Sequence, residues 1–118
     1  MKRRHAIRFA ALGSLLIAVP SFAHHSFKAQ FDENKNITLS GTVTKVSWAN
    51  PHVLVYLDVK DGGSVINWEL ELASPNGLMS QGWKLDSLRP GDQISASGHP
   101  ARDGSHVASA RRVTLSAR

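Results

Sequence analysis

Two apolar runs of matching length and face constrain this chain more than any other feature. In His52–Val59, Val53, Val55, Leu57 and Val59 share one face. In Val65–Leu72, Ile66, Trp68, Leu70 and Leu72 share one face. Strict alternation is the mark of a half-buried β-strand. Lys60-Asp61-Gly62-Gly63-Ser64 between them is a hairpin signal. Pairing Val59 with Ile66 sets Leu57 against Trp68, Val55 against Leu70 and Val53 against Leu72, so apolar meets apolar throughout. A slip of one residue would put Val53 against Glu71 and turn one strand inside out. The same register predicts an outer face with Tyr56 beside Glu69, Leu54 beside Glu71 and His52 beside Ala73. Trp68 and Leu70 are expected in the core.

The rest of the chain also reads as strands joined by turns. Leu39–Trp48 is rich in β-branched residues, but its alternation changes phase. A bulge between Gly41 and Thr44 would reconcile the halves. Ala49-Asn50-Pro51 is a turn, as are Ser74-Pro75-Asn76-Gly77 and Arg89-Pro90-Gly91-Asp92. Leu78–Trp83 is expected to form a short helix. Gln93–Ser97 reads as a fourth strand, with Ile94 and Ala96 inward. Ala101–Ser105 reads as a hairpin loop and His106–Leu115 as the fifth strand. Five strands with a short helix between the third and fourth predict an all-β fold, a small five-stranded OB-like barrel.

The N-terminus carries a different signal. Lys2, Arg3, Arg4 and Arg8 precede an apolar run, Phe9–Val19, and Ser21-Phe22-Ala23 ends it with small residues at alternate positions. Charged start, apolar middle and small-x-small end make a secretory signal peptide. The run is too short for a membrane-spanning helix. The expected organisation is residues 1–23 as a cleaved signal peptide, 24–37 as an N-terminal tail and 38–118 as the barrel. The expected location is periplasmic or secreted, with no stable membrane anchor after cleavage. Losing the four basic residues of the signal changes the charge. Of 14 Lys and Arg, ten remain against nine Asp and Glu, about +1 overall. A nucleic-acid footprint needs a cluster of cations, and Arg111-Arg112 is too small a patch. There is no cysteine, which excludes disulfides, thiolate metal sites and Cys nucleophiles.

Cleavage after Ala23 would expose the α-amine of His24. An amine with a reference pKa of about 7.7–8 beside an imidazole can close a chelate ring on a metal ion. Imidazole nitrogen suits copper, zinc and nickel, and Cu(II) binds most nitrogen sites tightest. The candidate metal ligands are therefore His24, His25 and, from the barrel, His52. The corner Asn50-Pro51 fixes the backbone of His52, and Trp48 and Glu71 are expected nearby. The plainer alternative for His52 is a hydrogen-bonded residue at a strand start. His99 and His106 flank a hairpin loop and read as exposed. Glu69 and Glu71 point the same way from the third strand, which is more economically a solvated strand face than an acid–base pair. Trp68 and Trp83 read as packing residues, leaving Trp48 as the one tryptophan near a surface cleft. No phosphate-binding loop, HExxH or Ser-His-Asp arrangement is present, so no enzyme activity is expected.

Five segments together carry a resemblance. They are His24-His25-Ser26-Phe27, Gly41-Thr42-Val43, Trp48-Ala49-Asn50-Pro51-His52, Trp68-Glu69-Leu70-Glu71 and Gly82-Trp83 followed by Leu88-Arg89-Pro90-Gly91-Asp92. With them the chain resembles a family of short exported bacterial proteins, mostly proteobacterial, built on a domain of unknown function. The resemblance implies export and an OB-like fold and gives no activity. Two expectations follow: a periplasmic metal-binding protein, most readily for Cu(II), or a non-enzymatic adaptor whose OB face docks a protein or small ligand without metal.

Overall fold

The structure, a computed structural model, describes residues 27–118. The expected signal segment and cleavage site, with His24 and His25, lie outside the described residues. Residues 27–30 are helical and belong to a unit ending at Gln30. The second unit, Phe31–Arg118, holds everything that follows. Among the described residues no helix is long and apolar enough to cross a membrane.

Five strands form a closed barrel: β1 (Ile37–Ser47), β2 (Leu54–Asp61), β3 (Ser64–Glu71), β4 (Gln93–Pro100) and β5 (Val107–Ala117), in the order β1-β2-β3-β5-β4 with β4 returning to β1. The β2–β3 hairpin has the register expected from matched faces, from Leu54↔Glu71 to Asp61↔Ser64. Backbone bonds from Leu72 to Val53 (2.9 Å) and from Val53 to Ala73 (3.0 Å) extend the pairing past the strand ends. β1 serves two neighbours. Its first half pairs with β4, Ile37↔Gly98 to Thr42↔Gln93, and its second half with β2. The register shift between Val43 and Lys45 is the expected bulge. It lets the strand bend from one neighbour to the other, as closing a small barrel requires. Gly41 sits at this crossing, where a Cβ would collide with the Asp58 carbonyl oxygen. Gly98 occupies the matching bulge between β4 and β5, against the Ser109 carbonyl.

The core is Leu39, Val43, Val53, Val55, Leu57, Leu70, Leu72, Ile94, Ala96 and Ala108 from the strands, closed by Leu78 and Leu88 from the β3–β4 connection. Burying each such Leu, Ile or Val contributes about 1.5–3 kcal/mol. Trp68 differs from expectation: it is half-buried, with its ring 5.1 Å from that of His106. β3 pairs with β5 only from Glu69 to Glu71, so the face that is buried at Leu70 is half-buried at Trp68 and Ile66 and exposed at Ser64. Trp48 is half-buried and packs against the core.

The helix lies three residues earlier than its apolar pattern suggested, at α1 (Pro75–Ser80). Ser74, read as part of a turn, is its N-cap: Oγ accepts from Gly77 N at 3.1 Å, and Pro75 opens the first turn, both favoured start signals. Phe31, placed by the sequence reading in the tail, is buried and bridges Ala101 of the barrel unit.

Asp92, also buried, anchors the end of the connection. Its Oδ2 accepts from Arg89 N at 2.8 Å. The Arg118 guanidinium reaches Oδ1 at 3.2 Å and Oδ2 at 3.1 Å, and also donates to the Ser87 carbonyl at 2.9 Å. This fork ties the end of β5 to the β3–β4 connection.

Candidate functional site

The outward face of β2 and β3 carries the chemistry, because alternation that sends Val55, Leu57 and Leu70 inward sends the polar side chains out. His52 stands at its end. Its Nδ1 lies 2.8 Å from the Leu72 carbonyl oxygen. A carbonyl only accepts, so Nδ1 carries the hydrogen and donates. Nε2 then lies 3.2 Å from Glu71 Oε1. The ring reaches diagonally, since His52 is beside Ala73 and Glu71 is paired with Leu54. The His52 side chain is 45% exposed and that of Glu71 19%. The pair is accessible to small solutes, with a backbone held by the hairpin.

Further along, the face is a run of satisfied contacts. The Tyr56 hydroxyl donates to Glu69 Oε1 at 3.0 Å, and Lys45 Nζ sits 5.6 Å from the centre of the Tyr56 ring. The bond to Glu69 holds the Tyr56 hydroxyl above its ordinary pKa, aided by desolvation and the carboxylate charge. Asn67 donates to Asp58 at 2.8 Å and to Thr44 at 3.3 Å. Glu69 and Glu71 therefore have different partners and do not form a two-carboxylate unit.

The remaining candidates are scattered. His99 is in β4 with Nδ1 2.8 Å from the Lys35 carbonyl, and His106 lies against Trp68. Among the described residues no three His, Asp or Glu side chains converge as a metal-binding group. His24 and His25 lie outside the described residues. Glu71 as the partner of His52 was legible only as a neighbour; the signal was their diagonal placement in the hairpin register. Elsewhere, Trp83, Leu88, Val113 and Leu115 line an open cleft of about 320 Å³.

A closed barrel in the order β1-β2-β3-β5-β4, with one helix between β3 and β4, defines a protein of the OB class. A solved structure of that shape is the mitochondrial single-stranded DNA-binding protein Rim1 from S. cerevisiae. It is similar with a TM-score of 0.56 over 71% of this chain and 95% of that chain, at 7% sequence identity. This likeness concerns the fold alone. No curated protein matches the chain in sequence. Residues 13–110 match the family described as a family of unknown function, DUF6152, and the chain belongs to that family.

Proposed function

We propose that the chain is an exported, non-enzymatic metal-binding OB domain, with Cu(II) as the favoured ion and His24, His25 and His52 as ligands. The observation that carries the reading is His52. Its Nδ1–H is held by a backbone carbonyl, 2.8 Å away, and its Nε2, on a partly exposed side chain, lies beside the Glu71 carboxylate. Metal-binding histidines commonly have this arrangement, in which the second nitrogen's bond fixes the tautomer and aims the first. The His24-His25 start adds an amine and two imidazoles once the signal is removed.

Rim1 is named for binding single-stranded DNA. OB folds bind oligonucleotides on the face around strands two and three, using cationic grooves with aromatic platforms. Here that face carries Asp58, Glu69 and Glu71, and Tyr56 is already engaged by Lys45 and Glu69. These carboxylates favour a cation over a polyanion. A second reading, an adaptor without metal, is favoured by the cleft at Trp83 and Val113, with Leu115 43% exposed on its rim.

Cu(II) titration of the processed protein tests the proposal. Protein beginning at His24 should bind one Cu(II) more tightly than the peptide His-His-Ser-Phe. One residue added before His24 should weaken binding strongly, because the chelate needs the free amine. Equal affinities for protein and peptide would reject the metal reading in favour of the adaptor.

A further inference from the structure

We propose that Glu71 is a metal ligand together with His52, and that Nε2 of His52 and Oε1 of Glu71 form a two-residue site for Cu(II) or Zn(II) on the barrel itself. The inference deepens the metal reading, and rests on it only in taking His52 as a ligand.

The Leu72 carbonyl requires the ring hydrogen of His52 to sit on Nδ1. In the neutral ring, Nε2 presents a lone pair. It faces a carboxylate oxygen 3.2 Å away. Two electron-pair donors at that separation repel unless a cation lies between them. A proton can fill the role, and so can a metal ion. The spacing suits the second. Nitrogen and carboxylate oxygen bind Zn(II) at about 2.0–2.2 Å, so two such ligands at about 90–110° stand roughly 2.9–3.4 Å apart. Both residues are already positioned, His52 by the bond of its ring to the Leu72 carbonyl and Glu71 by its pairing with Leu54, and backbone bonds between Val53, Leu72 and Ala73 fix the chain beside them. A mixed nitrogen and oxygen pair suits Cu(II) and Zn(II) better than Mg(II) or Ca(II), which prefer all-oxygen sets. Solvent reaches both side chains and can complete the coordination sphere.

The test separates this site from the N-terminal chelate. The full chain is exported with His24→Ala and His25→Ala, then titrated with Cu(II) and Zn(II) alone, with EPR for copper. The expected result is one equivalent bound, with a copper signal carrying a single imidazole nitrogen. Adding Glu71→Gln should weaken binding at least about tenfold, the low end of the loss seen when even an outer-shell partner is removed. Adding His52→Ala should abolish the imidazole signal. Unchanged melting curves would show that both variants keep the fold. The proposal is overturned if the double-Ala protein binds no better than its His52→Ala derivative, or if Glu71→Gln leaves affinity unchanged. Tight binding by the unaltered protein combined with none by the double-Ala protein would leave the terminal chelate standing and remove the barrel site. Equal binding by the two would do the reverse.

Discussion

A single carbonyl oxygen decides what His52 can do. By taking the hydrogen of Nδ1, Leu72 turns Nε2 towards Glu71 and leaves it as the one nitrogen available for a ligand. The other decisive polar residue, Asp92, is structural. The Arg118 guanidinium holds its carboxyl below the usual range, helped by the Arg89 N–H, while desolvation opposes the shift. The folded state therefore binds that proton less readily than the unfolded chain. Its contribution is full above the unfolded value, about 3.9, and is lost as pH falls through the lower folded value. Asp92→Asn should melt below the parent at pH 7, and the gap should narrow below about pH 4. A gap independent of pH would mean that the Asp92 charge is not what stabilises. The apolar residues divide by depth. Leu70→Ala should cost about 2–5 kcal/mol in urea denaturation, as buried leucines do. Trp68→Ala should cost about 2 kcal/mol, roughly half the value for a fully buried aromatic, because Trp68 is half-buried.

At the level of elements, closure depends on where strands bend. Gly41 and Gly98 lie against carbonyl oxygens of neighbouring strands, with no space for a methyl group, whereas Gly63 faces open space. Gly41→Ala and Gly98→Ala should each lose about 1–3 kcal/mol, the range for forcing atoms into a packed site, and Gly63→Ala should be close to neutral. Hydrogen exchange should report the damage at β1–β2 for the first and β4–β5 for the second. The β2–β3 hairpin was fully legible in the sequence, because eight residues on each side alternate and only one register buries both sets. The bulge of β1 was legible as a phase change in its alternation. The helix was misplaced because the apolar pattern of Leu78–Trp83 outweighed the Ser74-Pro75 start signal, which marks the helix at Pro75–Ser80. Phe31 could not be placed from sequence, since its bridge to Ala101 joins residues far apart with no local periodicity. For the site, His52 was legible from its rigid corner. Its bond to Leu72 depends on a ring orientation that no spacing encodes.

At the scale of the whole molecule, a closed barrel without cysteine follows a segment that carries His24 and His25. The closed strand order and the likeness to an OB structure give the architecture, and the proposed activity rests on the residues. If export and cleavage follow Ser21-Phe22-Ala23, intact mass of the exported protein should correspond to residues 24–118, and a different start would remove the His24 chelate. On the proposed function, this chain binds Cu(II) as a protein and not merely as an exposed peptide. Competitive Cu(II) titration followed by EPR, on processed protein, its His52→Ala variant and the peptide His-His-Ser-Phe, tests it most directly. The processed protein should bind at least about tenfold tighter than the peptide, a margin of about 1.4 kcal/mol, and His52→Ala should change its spectrum. Identical affinities and spectra for all three would contradict it.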